Sequence, residues 1–433
     1  MKICIIGGGS TYTPELIEGL IKISEHVRIR EICLLDIPEN ERKLEILSGF
    51  SDRILKAAGS RAKLLSTYNA EEAISGADFI LNQFRAGCMR GRINDEKIPL
   101  GYGLIGQETT GIGGMANGLR AMPIMEKYTS LAKKFSNNAW MINFTNPSGM
   151  MTEFIVNYLG YEKCIGLCNC PIEFVLQACI VLGCQENELL LRYYGLNHLA
   201  WVDGVFVSGK DLTSEVLENI RVNMKNIPDL EYGDNFIPML GMLPNPYLRY
   251  FYNTSQMLKS QMEAKGKQGT RGEQILVIEE ELLGLYSEPE RTRPPEELSK
   301  RGGFMYSTVA TELIKSIATN DGRTHIINTR NSGTIDDFPD DYIMEIPAKL
   351  TSSGPVAIPL GKAAKSTVGL ISTIKNYERL TIEGHLAKDE NLVKQAMLVH
   401  PLGPEEKDID QLWNDLKAAN KDYFTDFGQP PSV

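Results

Sequence analysis

Lys2-Ile3-Cys4-Ile5-Ile6-Gly7-Gly8-Gly9-Ser10-Thr11-Tyr12-Thr13-Pro14 is the stretch on which the reading of this fold turns. A short apolar run ends in three glycines. Pro14 sits at a first helical position behind Thr13, and Leu16, Ile17, Leu20 and Ile21 follow at helical spacing. Strand, glycine turn and helix N-terminus together present backbone N–H groups to a pyrophosphate. Gly7, Gly8, Gly9, Ser10 and Thr11 are therefore candidate cofactor-binding residues, although Tyr12 stands where the third glycine of the full dinucleotide fingerprint belongs. Asp36, closing a second apolar run, is placed to accept from ribose hydroxyls and favours NAD over NADP. The plain alternative for the glycines is a tight turn without a ligand.

Outward from this stretch the chain alternates. Strand candidates are Lys2–Gly7, Glu31–Asp36, Asp78–Gln83, Ala139–Asn143 and Lys163–Cys168, with amphipathic helices such as Glu41–Ala57 and Ala121–Phe135 between them. Such alternation predicts an α/β fold with a doubly wound, Rossmann-type parallel sheet. Gly7–Gly9, Asp36, Gln83–Arg85, Asn143–Asn146 and Cys168–Asn169 each follow the apolar part of a strand. Ligands of open α/β sheets bind outside the carboxyl ends of the strands, so five polar motifs are expected on one edge. The reading divides the 433 residues into an NAD-binding domain, 1–195, and an α+β substrate domain, 196–433. In the second, Tyr247–Tyr286 is expected to be helical with a break near Gly266–Gly272. Turns are expected at Arg301–Gly303, Thr329–Gly333 and Gly354–Pro355, a strand over Tyr342–Lys349, and mainly helix in the last hundred residues.

Hydrophobic residues at 42% and charged residues at 23% describe a globular chain with a sizeable core. A formal net charge of −10 argues against sequence-independent nucleic-acid binding, and an anionic substrate would need a local cluster of cations. The opening apolar run is too short for a signal peptide and no later run is long enough to span a bilayer. The eight cysteines lie mostly in apolar stretches, as reduced thiols do, so the cytoplasm is the expected compartment.

Cys168-Asn169-Cys170-Pro171 is followed by Asn197-His198. A thiolate and an imidazole suit a divalent transition metal and leave positions open for substrate oxygens; the bland alternative is a buried cysteine pair and a core histidine. In an extended segment Cys170 would point to the opposite face, which makes Cys168 the better ligand. Asn143 and Asn146, in Asn143-Phe144-Thr145-Asn146-Pro147, offer amides to ribose or sugar hydroxyls, or else cap a turn. Arg85, Arg90 and Arg92 crowd one loop and Arg271 stands in a glycine-flanked helix break, an anion site or a solvated surface. Tyr247, in Asn245-Pro246-Tyr247-Leu248-Arg249-Tyr250, is a packing residue or, beside a metal, a base.

These motifs, together with Tyr102–Thr109, Gly166–Pro171, Gly195–His198, Lys300–Ser307, Asn328–Gly333 and Leu402–Pro404, resemble glycoside hydrolase family 4 over nearly the whole chain. That family stands outside two-carboxylate glycoside hydrolysis. The resemblance implies a malate-dehydrogenase-like fold, NAD and a divalent metal (commonly manganese); a homodimer or homotetramer is the expected assembly. By motif, Cys168 and His198 match the metal ligands, Tyr247 the base that removes the C2 proton, and Arg92, Asn146 and Arg271 substrate-binding positions. Members acting on α-linked phosphosugars carry Cys-Asp at the metal motif and α-galactosidase-like members Cys-His. Cys168-Asn169 is the form of the 6-phospho-β-glucosidases, with Asn169 at the substrate. Cys170 departs from the small aliphatic residue more usual there.

The implied reaction oxidises C3 of the sugar, removes the C2 proton, eliminates the aglycone, adds water and re-reduces the ketone. Its substrate is a phosphorylated disaccharide or β-glucoside. The alternatives are an NAD-dependent dehydrogenase of a small hydroxy acid, a nucleotide-sensing binding protein, or a family 4 glycosidase of different anomeric or sugar specificity.

Overall fold

The computed structural model describes residues 1–219, 232–301, 305–424 and 427. Apolar segments form the strands β1 (Lys2–Ile6), β2 (Glu31–Leu35), β3 (Lys63–Thr67), β4 (Phe79–Asn82), β5 (Trp140–Asn143) and β6 (Cys164–Gly166). Strand pairing is parallel from β3 through β2, β1, β4 and β5 to β6. β1 shows why the run is apolar throughout: Ile3 and Ile5 enter one core layer, Cys4 and Ile6 the opposite one. A strand covered on both faces by helices has no wet side to leave polar. The edge strand β3, with exposed Lys63 and Ser66, carries no such signal and was not among the expected strands.

In the second half, a hairpin of β7 (Leu189–Leu196) and β8 (Leu199–Val207), with β9 (Lys210–Asp211) and β10 (Leu243–Pro244), makes a separate antiparallel sheet. The strands β11 (Thr324–Arg330), β12 (Ile343–Thr351) and β13 (Gly354–Ala357) then return to the first sheet. They extend it beyond β6 in antiparallel fashion to nine strands among the described residues. The expected domain boundary near residue 195 therefore falls inside β7, and both halves share one sheet.

Several local expectations shift. The helix expected over Ala121–Phe135 begins at Gly111. A Cβ on Gly113 would lie 2.3 Å from the Asp95 carbonyl oxygen, and one on Gly118 2.8 Å from Met150 Sδ, so close packing retains glycines of poor helix propensity. Thr329 and Arg330 finish β11 rather than starting a turn, and Gly354 begins β13. The Tyr247–Tyr286 stretch divides into helices Arg249–Tyr252, Thr254–Gln268 and Arg271–Tyr286. In the expected Arg301–Gly303 turn, Gly302 and Gly303 lie outside the described residues. Among the described residues, no helix is long and apolar enough to cross a membrane.

Candidate active site

The carboxyl ends of β1, β4, β5 and β6 open onto one cavity of about 680 Å³, a volume suited to a cofactor with its substrate. Gly7, Gly9, Ser10 and Asp36 line one end, and Cys168, Asn169, His198 and Tyr247 the other. Gly7 has φ +88°, and a Cβ there would meet the Phe84 backbone nitrogen at 2.8 Å. Gly8 instead packs on Leu34, and Thr11 is buried below the loop, so neither lines the cavity. One Asp36 oxygen accepts from Gly9 N at 2.6 Å and the other from Ile37 N and Asn40 Nδ2, each at 2.8 Å. Its carboxylate shapes the glycine loop as well as facing the cavity.

Asn143 corrects its expected role at the cofactor. It is fully buried and absent from the cavity wall. Its amide nitrogen lies 3.3 Å from the Thr145 carbonyl oxygen and 3.4 Å from that of Ser148, and its Oδ1 accepts from Thr145 N at 3.2 Å. The amide thus braces the turn that presents Asn146. Asn146 does line the cavity, beside Phe144, whose ring stacks on Tyr306 at 4.0 Å.

The second correction concerns Cys170. Asn169 has helical angles (φ −85°, ψ −12°), and a helix starts at Cys170 and runs to Leu182. The alternation of an extended chain therefore does not apply. Cys168, Cys170 and His198 are all buried, and their ligand atoms lie within 4.8 Å of one another. Cys170 N also donates to Cys168 Sγ at 3.4 Å. Hydrogen bonding from the Cys170 thiol holds the Cys168 thiol well below its ordinary pKa. Burial opposes this, and His198 adds to the lowering.

His198 sits in the two-residue β7–β8 loop with φ +65°, a left-handed conformation that L-residues with a Cβ seldom adopt. Its Nδ1 lies 3.0 Å from Thr109 Oγ1, whose hydroxyl donates to Gln107 Oε1 at 2.7 Å. The hydroxyl hydrogen being committed, Nδ1–H must donate to Thr109, which leaves the Nε2 lone pair for a metal. Tyr247 stacks on the imidazole with centroids 3.6 Å apart and planes within 5°. Burial, then Cys170 and Cys168, push the Tyr247 pKa well up.

Behind both residues lies Glu345, which sequence reasoning missed. It accepts from Tyr193 Oη at 2.6 Å and Asn197 Nδ2 at 3.0 Å; Asn245 in turn donates to Tyr193 Oη at 3.1 Å and accepts from Tyr247 N at 3.0 Å. One buried carboxyl thereby fixes the neighbour of His198 and the cap of Tyr247. Burial, with Cys168 next, raises the Glu345 pKa to about 8. Thr109 and Gln107 were legible only as part of a family-like motif; nothing local marks them as partners of His198.

On the facing wall, Arg92 pairs with Glu96 at 3.0 Å and Glu108 at 3.1 Å, and Arg85 pairs with Glu108. Glu96 also accepts from Gly272 N at 2.7 Å, which docks the start of the Arg271–Tyr286 helix here and brings Arg271 toward Arg92. Arg301, absent from the expected set, pairs with Glu279 at 2.6 Å and lies over the Tyr12 ring at 4.5 Å. Desolvation and the neighbouring cations Arg92 and Arg301 push the Arg85 pKa down to about 9. Cations so crowded are relieved by an anion.

The model of the family 4 glycosyl hydrolases matches residues 2–179, and that of their C-terminal domain residues 193–403. The chain belongs to glycosyl hydrolase family 4. The 6-phospho-beta-glucosidase BglT of Thermotoga maritima, a family relative, is 44% identical over 98% of this chain and 99% of its own. A crystal structure of the 6-phospho-beta glucosidase from Thermotoga maritima with manganese, NAD+ and glucose-6-phosphate superposes with a TM-score of 0.91. It is 44% identical and covers 98% of this chain and 99% of that one. Malate dehydrogenase from Plasmodium falciparum, at 13% identity, a TM-score of 0.54 and coverage of 91% and 99%, shares the fold alone. The Rossmann-type sheet with a second region is thus a family 4 architecture.

Proposed function

We propose that this family 4 enzyme is a 6-phospho-β-glucosidase that requires NAD and a divalent metal, with manganese the metal found in the similar Thermotoga structure. The observation that carries the reading is one cavity joining a glycine loop, a Cys168–His198 pair and an arginine cluster in an acidic chain. Gly7, Gly9, Ser10 and Asp36 would hold the dinucleotide; Cys168 and His198 supply donors whose chemistry fits a divalent transition ion. When bound, NAD⁺ accepts and returns a hydride at C3 of the sugar, while the ion acts as a Lewis acid there and favours the tyrosinate. Tyr247 takes the C2 proton, held in place by the His198 stack and the Asn245 cap. Arg92 and Arg271 receive the 6-phosphate, and Asn146 and Asn169 hold sugar hydroxyls. In this reading the enzyme works in the cytoplasm as a homodimer or homotetramer.

Hydrolysis of a chromogenic 6-phospho-β-glucoside is expected only with both NAD⁺ and Mn²⁺ present, with no net NADH formed. Net NADH from a small hydroxy acid, and no glycoside cleavage, would place the chain with dehydrogenases instead. Cleavage of the 6-phospho-α-glucoside in preference would reverse the anomeric assignment.

A further inference from the structure

We propose that Cys170 is a third protein ligand of the metal. It would complete a Cys2His set with Cys168 and His198 that prefers a thiophilic ion such as zinc or cobalt over manganese. This rests on the metal reading above.

Three independent features lead here. The first is convergence: two thiols and one imidazole, all buried, lie within 4.8 Å of one another. Donors on one tetrahedral ion stand ~3.8 Å apart when the metal–sulfur bond is about 2.3 Å, so small side-chain movements close the set. The second is the local chain. The helical angles at Asn169 fold Cys170 back toward Cys168, and Cys170 opens a helix thirteen residues long. Thiolate charge at a helix N-terminus is favoured by the aligned peptide dipoles. The third is the pre-set imidazole. Thr109 occupies Nδ1, which leaves the Nε2 lone pair for a metal, and a ring nitrogen of His198 lies within 4.8 Å of both sulfurs.

A different fate for buried thiols is visible in the same molecule. Cys4, Cys33 and Cys164 lie in one apolar layer of the main sheet. They are packing residues. Cys170 also lies in an apolar cluster, with Ile105, Tyr250 and Met257, but differs in having another thiol and an imidazole within 4.8 Å. Cys168 and His198 line the cavity while Cys170, 2% exposed, backs them. Two thiolates and an imidazole with a further position open for substrate is a donor set of catalytic zinc. Manganese is better served by oxygen donors. Coordination removes the proton from each bound thiol, which the surrounding solvent takes up.

The test is cobalt substitution in the full-length protein, stripped of metal and supplied with NAD⁺. The sulfur-to-cobalt charge-transfer band, per bound ion, should correspond to two thiolates and fall by about half in both Cys170→Ala and Cys168→Ala, since each removes one of two sulfurs. Cys170→Ser, which keeps the side-chain size, should show the same loss, and NAD binding should survive in every variant. Zinc-over-manganese preference in competition should narrow by about tenfold or more in Cys170→Ala. A band unchanged in both Cys170 variants but weakened in Cys168→Ala would overturn the third ligand and leave the Cys168–His198 site standing. Failure of the unmutated protein to bind cobalt at all would remove both readings.

Discussion

Thr109→Val tests whether the imidazole of His198 is held in a metal-binding tautomer by its neighbour. Valine keeps the β-branched shape and deletes only the oxygen that lies 3.0 Å from Nδ1 and 2.7 Å from Gln107 Oε1. The loss leaves a buried N–H without its acceptor, a penalty of about 1–3 kcal/mol. The ring can escape it by moving the proton to Nε2, which takes away the lone pair the metal needs. Either route is expected to weaken metal binding about 10–100-fold, or ~1.4–2.7 kcal/mol. Calorimetric titration of the metal-free variant measures this directly. At saturating metal kcat should recover in large part, because Thr109 acts through the imidazole it is bonded to. Thr109→Ser restores a hydroxyl and should return affinity to within about threefold of the parent, a small remainder of one hydrogen bond. Unchanged metal affinity in a folded Thr109→Val protein would refute the hydrogen-bond assignment.

Other outcomes follow from the same geometry. Hydrolysis in D₂O should place deuterium at C2 of the product, and Tyr247→Phe should slow exchange and cleavage together; NMR showing a fully protonated C2 would exclude proton removal there. Tyr250, whose ring is 6.2 Å from that of Tyr247, is the control, and Tyr250→Phe should leave the isotope pattern intact. Replacing Arg92 and Arg271 together by alanine should reduce the preference for 6-phosphoglucoside over glucoside by at least about tenfold, because each charge-assisted contact contributes about 1.5–3 kcal/mol; kcat/KM for the two substrates reports it. Burial lowers the His400 pKa to about 3. The unfolded chain therefore takes up a proton below about pH 6.5 that the folded chain refuses, and stability is lost as pH falls from there toward 3. Denaturant melts of His400→Asn should show a pH 7-to-5 loss smaller than the parent's by about 2 kcal/mol; equal losses would mean that His400 titrates normally.

Much of the fold was readable because short-range patterns carry it. The apolar run before Gly7, the Pro14 helix start and the strand ends at Asp36, Asn143 and Cys168 are local features, and the polar residues duly gather at one sheet edge. Where simple patterns misled, specific contacts had overruled them, some near in sequence and some distant. Asn143 looked available because it ends a strand, yet Thr145 and Ser148 fold back over its amide. The helix expected from Ala121 starts at Gly111, and Asp95 and Met150 come too close to Gly113 and Gly118 for a side chain at either.

By itself the sequence determined the alternating α/β class and the glycine loop, since each depends on residues a few positions apart, and the family resemblance, which rests on motifs spread over nearly the whole chain. Tertiary structure alone decided that β11 to β13 complete the first sheet, and that Thr109, Cys168, His198 and Tyr247 meet across widely separated segments. It also decided that Glu345 fastens Tyr193 and Asn197 from behind. Periodicity records which face of an element is buried, but not which distant element covers it. The side of the chain on which Cys170 falls depended on two backbone angles at Asn169, set by the helix that begins immediately after it.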